Sequence, residues 1–181
     1  MNDAADRFGS IYEELFDPVF HFCQRRLASD ADTAEDVTED VFTVVWRLID
    51  KVPAPPEHRI FIFAIAYRQL KGHQRSLWRR SRLHQRLSQE RAATALGDSE
   101  EDPAAEDIRR AVAKLPDGER EALLLVVCDG FSHADAGKLL GCTANAIAIR
   151  LSRARSQLRA ELRPAPAAID GSAHLAFPGG V

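Results

Sequence analysis

Apolar positions recur at helical spacing along almost the whole chain, and no stretch alternates polar and apolar residues as a half-buried strand would. The expected fold is all-α. In Phe8 to Leu27, the residues Ile11, Leu15, Val19 and Phe22 share one helical face, and Pro18 is expected to break or kink it because proline lacks a backbone donor and clashes with the preceding turn. A second helix, about Thr33 to Ile49, carries Val37, Val41, Val44, Val45 and Leu48 as a buried stripe and stops at Val52-Pro53-Ala54-Pro55-Pro56. A third begins near Glu57, with Ile60, Phe63, Tyr67 and Leu70 on one side.

From Ala92 to Ala105 the apolar periodicity fades into Ala, Gly, Asp, Ser, Glu and Pro, the composition of a flexible acidic linker. This divides the chain into two small helical domains, about 8–91 and 106–163, each expected to behave as its own unit. The tail 164–181, rich in Ala, Gly and Pro, is expected to be disordered. In the second domain Leu115-Pro116 ends one helix, and Glu119 to Cys128 opens another whose run Leu123 to Val127 is apolar enough to be buried nearly all round. Asp129-Gly130 is a stop signal. Ser132 can cap the next helix, with Asp135 three residues on as a weak capping box. After Leu139-Leu140, Gly141-Cys142 makes a tight turn, and Thr143 caps a last helix with Ile147, Leu151, Ala154, Leu158 and Leu162 as its stripe. Helix, short turn, helix at this spacing fits a DNA-binding helix-turn-helix, whose second helix offers its N-terminal residues to base edges while neighbouring bases grip phosphates. A helical hairpin that packs without touching DNA satisfies the same geometry.

Charge changes the picture. The 181 residues carry a net charge of only −3, yet acids dominate Asp30 to Asp40 and Asp98 to Asp107, and bases dominate Arg68 to Arg91 and Arg150 to Arg163. Such a chain can bind a protein with one surface and nucleic acid with another. Glu35, Asp36, Glu39 and Asp40 form an acidic face on the second helix; acids early in a helix also favour its dipole, and most charged faces are merely solvated. The 3 cysteines, Cys23, Cys128 and Cys142, form no CxxC pair, so neither a disulfide framework nor a zinc site is indicated, and His21 with Cys23 is too small a set for a metal. No cofactor is expected. The N-terminus lacks a signal pattern, and the longest apolar runs, such as Ile60 to Tyr67, fall short of the about 20 residues a membrane helix needs. A soluble, cytoplasmic protein without membrane insertion is expected. There is no HExxH, no phosphate-cradling glycine loop and no coherent nucleophile set, which argues against an enzyme.

The run Ala34-Glu35-Asp36-Val37-Thr38-Glu39-Asp40-Val41-Phe42 through Trp46-Arg47 resembles the polymerase-docking helix of the sigma-70 family of transcription initiation factors, in particular the extracytoplasmic-function group. In the second domain, Leu115-Pro116, Arg120 to Leu125, Gly130-Phe131-Ser132, Leu140 to Thr143 and Arg150 to Arg155 resemble, in order and spacing, the C-terminal domain of the same group. The resemblance implies a sigma factor with no catalysis of its own, whose partners are core RNA polymerase (the β′ clamp helices and the β flap) and promoter DNA. Many family members are also held by an anti-sigma factor, although nothing in this chain names one.

By position, Glu35, Asp36, Glu39, Asp40, Phe42 and Trp46 would supply the polymerase contact. The loop Asp50 to His58 and the helix after it would face the promoter element nearest the start site. Single-stranded DNA needs a cationic groove and flat side chains; Arg59, Arg68, Lys71, Arg75, Trp78 and Arg79 would supply them, with Phe63 and Tyr67 assigned to the core. At the upstream element the candidates are Thr143, Asn145, Ala148, Ile149, Arg150, Ser152, Arg153 and Arg155. The chain departs from the family where Trp is common near Phe61 and Asn near Arg68 or Gln69. Its recognition helix reads Ala146-Ile147-Ala148-Ile149-Arg150-Leu151 in place of Thr-Val-Lys-Ser-Arg-Leu, so a cation and two hydroxyls become apolar groups. A stand-alone helix-turn-helix regulator is the competing reading; it would need a sensing or dimerisation domain in place of Phe8 to Arg91, and the acidic helix argues against it.

Overall fold

The structure, a computed structural model, describes residues 2–27, 31–85 and 103–162, with the side chains of 2, 77–85 and 103–104 outside the description. Helices account for every regular element among the described residues. α1 runs from Asn2 to Arg26 without interruption at Pro18, so of the expected break or kink the break is absent. Leu15, Val19 and Phe22, flanking the proline, are all fully buried. Packing both flanks against one core outweighs the cost of an interior proline, about 3 kcal/mol.

α2 (Ala31–Arg47) buries Val37, Val41 and Val45 as expected, together with Ala34, Thr38 and Phe42, while Val44 and Leu48 are only half-buried. The helix stops short of Ile49, and a 3₁₀ turn, Ile49–Lys51, carries the chain onward. Arg7 of α1 closes this corner. Its guanidinium donates to the carbonyls of Ile49 at 3.2 Å, Val52, and Pro53 at 3.3 Å, satisfying acceptors that a helix end leaves without intrahelical partners. α3 (Glu57–Gln85) packs on α1 and α2. Its buried stripe is Ile62, Phe63, Ile65, Ala66 and Leu70, so it is rotated from the expected one: Ile60 and Tyr67 are half-buried at its edge. Gly72 lies on the exposed side of α3 with open space where a Cβ would stand. Gly72→Ala is therefore expected to stabilise the protein by about 0.5–1 kcal/mol through lower unfolded-chain entropy, measured by urea denaturation.

Cys23 is buried between α1 and α2, and burial pushes its thiol up to about 11. Cys128 is exposed and Cys142 half-buried. Because the thiolate is the reactive species, alkylation in the folded state is expected to reach Cys128 first and Cys23 only after unfolding. Peptide mass spectrometry over a time course reads this; early modification of Cys23 would contradict it.

In the second half α4 (Pro103–Ala113) begins inside the segment expected to be linker. Proline suits a first helical position, where its missing donor would be unpaired anyway. The rest of the expected linker, 92–102, and the tail 164–181 lie outside the described residues. α5 (Asp117–Leu123) widens into a π-helical turn, Leu124–Cys128. Here the Asp129 N–H reaches the Leu124 carbonyl at 2.9 Å and the Phe131 N–H reaches that of Leu125 at 3.0 Å. The wider turn leaves Val127 58% exposed, so the apolar run is not buried all round. Gly130 (φ 72°) then reverses the chain.

α6 (His133–Leu140) and α7 (Ala144–Glu161) follow as expected. Ser132 Oγ accepts from the Asp135 N–H and Thr143 Oγ1 from the Ala146 N–H, each at 3.1 Å. Gly141 (φ 65°) supplies the left-handed residue between the helices, a conformation that favours glycine. α7 buries Ile147, Leu151 and Ala154, but Leu162 at the end of the expected stripe is 42% exposed.

The halves are in contact rather than separate. Phe63 of α3 stacks edge-on with Phe22 of α1 at 5.1 Å and with Phe131, just before α6, at 5.0 Å, and one cluster of buried apolar residues runs through both halves. No helix among the described residues is long and apolar enough to cross a membrane.

Candidate functional site

The acidic face of α2 is built as the spacing requires: Glu35, Asp36, Glu39 and Asp40 are all exposed while Val37, Thr38 and Val41 between them are buried. Because α2 starts at Ala31, these carboxylates lie beyond its first turn, where the dipole's influence has fallen off. Helix stability therefore does not account for them.

Beside this face stands an aromatic shelf that spacing within α2 alone does not reveal. Phe42 is 3% exposed and meets Phe8, Tyr12 and Phe16 of α1 at ring distances of 6.4, 4.9 and 5.8 Å. Phe42 is thus a support from beneath, not a group presented to a partner. Trp46, 48% exposed, stands edge-on to Phe8 at 5.2 Å, and Tyr12 is 40% exposed. Tyr12 and Phe8 carry no mark in the pattern of α2. The available signal was a second apolar row on α1, Phe8, Tyr12 and Phe16 at intervals of four, beside the stripe that forms the core.

On α3, Arg68, Lys71 and Arg75 share one face at helical spacing; the two arginines are exposed and Lys71 is half-buried, its Nζ 5.4 Å from the Tyr67 ring centre. Trp78 and Arg79 continue the same helix, but their side chains lie outside the described residues. Phe63 is in the core, as expected. Burial raises the Tyr67 hydroxyl above its usual range, reinforced by the negative charge of Glu121 and opposed by Arg26 and Arg150. Arg59 remains exposed, yet its Nη2 donates to the Asp129 carbonyl at 2.9 Å and its guanidinium lies 5.2 and 5.4 Å from the ring centres of Phe63 and Phe131. The sequence placed Arg59 toward nucleic acid; the fold turns it toward the second half of its own chain.

On α7, Thr143, Asn145, Ile149, Ser152, Arg153 and Arg155 are exposed, with Ala148 half-buried. Arg150 is different. Its Nη1 lies 3.6 Å from Cys142 Sγ and its side chain covers Gly118, so it ties α7 to the turn and to α5 instead of standing free for a phosphate. The outward face therefore holds Arg153 and Arg155 as its cations and an exposed isoleucine at its centre.

A family model described as sigma-70, region 4, matches residues 105–158. The extracytoplasmic-function sigma factor EcfG of Rhodopseudomonas palustris is 32% identical over 139 residues, 75% of each chain. The sigma factor CnrH of Cupriavidus metallidurans is 28% identical over 145 residues, 71% of this chain and 72% of that one. Among solved structures, the sigma factor RpoE of Bartonella quintana, in complex with the anti-sigma factor NepR, shares the fold with a TM-score of 0.70 at 24% identity, covering 88% of this chain and 98% of that one.

Proposed function

From the premise that this chain belongs to the extracytoplasmic-function group of sigma-70 RNA polymerase sigma factors, we propose a division of labour among its surfaces. As a sigma factor the chain binds core RNA polymerase and directs promoter-specific initiation. The acidic face of α2, with Glu35, Asp36, Glu39, Asp40 and the exposed edge of Trp46, docks the β′ clamp helices. α3, with Arg59, Arg68, Lys71 and Arg75 and with Trp78 and Arg79 farther on, holds single-stranded DNA of the promoter element nearest the start site. α7 enters the duplex of the upstream element with Asn145, Ile149, Ser152, Arg153 and Arg155, while the rest of the second half meets the β flap. Residues 8–91 and 106–163 are the two working modules. The role has no catalytic step of its own, and its place is the cytoplasm, where the polymerase works.

The observation that carries this reading is the pairing, in one small chain, of an exposed carboxylate face beyond the first turn of α2 with a doubly capped helix-turn-helix whose second helix presents a polar and cationic face. A stand-alone regulator has no use for the first. The shared fold with a sigma factor solved against an anti-sigma factor supports an anti-sigma protein as a further partner class. The test is reconstituted transcription on genomic DNA with core polymerase, reading start sites with and without this protein. New start sites are expected only when it is present, and their absence would sink the reading.

Ala148 occupies a position where the family commonly carries lysine, and it is half-buried at the edge of the outward face. Ala148→Lys is expected to add roughly one phosphate contact and to steepen the log–log salt dependence of duplex binding by about 0.9, irrespective of sequence. A salt titration by fluorescence anisotropy checks this.

A further inference from the structure

The contact between the halves is organised around one buried acid. Arg26, at the end of α1, donates through Nε to Glu121 Oε2 and through Nη2 to Asp129 Oδ2, each at 2.9 Å. Its Nη1 donates to the Phe22 carbonyl at 3.1 Å, and its guanidinium lies 3.7 Å from the centre of the Phe22 ring. Arg25 donates to the other carboxylate oxygen of Asp129. Arg59 donates to the backbone carbonyl of the same residue at 2.9 Å. The side chains of Arg26 and Asp129 are 2% and 0% exposed, and that of Glu121 is 10% exposed. All three arginines belong to the first half and both acids to the second. The π-helical turn and the left-handed Gly130 are what aim Asp129 at them.

Exposed ion pairs contribute little, but removing one member of a buried pair strands the other charge away from water. Parting the halves separates the three arginines from Asp129 and Glu121 at once. The face that closes includes the helix assigned above to the DNA strand: Arg59 is engaged by Asp129, and Tyr67 lies within the electrostatic reach of Glu121, Asp117 and Arg150 from the second half. A phosphate oxygen and the Asp129 carbonyl would compete for one guanidinium.

We propose that Asp129, gripped by Arg25, Arg26 and Arg59, is a latch that closes the free protein, and that closure and binding of the promoter strand along α3 exclude one another. The second clause rests on the proposed DNA role of Arg59; the first does not. A ligand that binds only the open form has its affinity reduced by the open fraction. Breaking the latch therefore both extends the molecule and tightens strand binding.

The experiment uses the full chain with Asp129→Asn, with Arg26→Gln, and with both. Arg26→Gln, made in the other half, separates opening from any disturbance of the second half's own fold, and circular dichroism checks helicity. Small-angle X-ray scattering is expected to show a larger radius of gyration for each single variant, with the double variant no larger than either, as expected for groups acting through one contact. Anisotropy with a fluorescein-labelled mixed-sequence single strand is expected to show binding about tenfold tighter or more in the open variants, lost again when Arg59→Ala is added. Unchanged dimensions in all three variants would overturn the latch. Larger dimensions with unchanged strand affinity would uphold the latch and overturn the competition, along with the DNA role of Arg59.

Discussion

Reversing Asp36 and Glu39 to lysine together is expected to weaken association with core RNA polymerase by about a hundredfold, since like charges forced together at an interface cost several kcal/mol. Both side chains are exposed on α2, and the residues beneath them, Val37, Thr38 and Val41, are buried and unchanged. Stability should therefore move little, because exposed charges contribute little to folding. High salt should narrow the difference, because it screens the wild type's attraction and the variant's repulsion alike. Asp17→Lys, an exposed acid on α1, serves as a control and should leave polymerase binding nearly intact. Equal affinity for the wild type and the double variant, measured by fluorescence anisotropy against core enzyme, would remove the acidic face from the interface. Trp46→Ala in the same assay asks whether the exposed aromatic edge shares the contact.

The second large effect is expected at Gly137→Ala, a change of one methyl group. A Cβ at this position would stand 2.6 Å from the Cys142 carbonyl oxygen, 3.3 Å from the Thr143 carbonyl carbon and 3.4 Å from the Ala144 nitrogen. All three are backbone atoms of the turn between α6 and α7, so no flexible side chain can give way. The N-terminus of α7 must move instead. Overpacking of this kind typically costs about 1–3 kcal/mol, and the displaced cap at Thr143 adds to it. Thermal unfolding should show a lowered midpoint for Gly137→Ala and a raised one for Gly72→Ala, although both substitutions improve intrinsic helix propensity. Duplex binding through α7 should fall beyond what stability explains, because its N-terminal residues are the ones displaced. A midpoint at or above wild type would show that the turn relaxes freely.

Helix identity was legible wherever a single face repeats. Val37, Val41 and Val45 sit in the core as their spacing requires, and Ser132, Thr143 and Gly141 cap and turn the helix-turn-helix as their side chains and conformational freedom dictate. Local rules fail where packing overrides them. Pro18 signals a break to any local reading, yet buried neighbours on both flanks carry α1 through it. The apolar run from Leu123 to Val127 fits an all-round buried helix until the π-helical turn rotates Val127 out to solvent.

By itself, then, the sequence determined the all-α class, the segregation of charge, the acidic face of α2 and the capped pair of helices, because each depends on residues within a turn or two of one another. What only the tertiary structure decided is which groups meet across long separations. Arg7 closes the corner after α2, Phe8 joins Trp46 and Phe42 on one aromatic shelf, and Arg150, a candidate for DNA contact by its place in the sequence, folds back on the turn. Above all, Arg25 and Arg26 converge on an aspartate more than a hundred positions away. In sequence that residue looks like a helix stop, since Asp-Gly suits a turn whatever lies opposite. Its partners are chosen by the packing of α1, α3 and the π-helical turn, and no periodicity along the chain encodes a distance between two surfaces that meet only after each has folded.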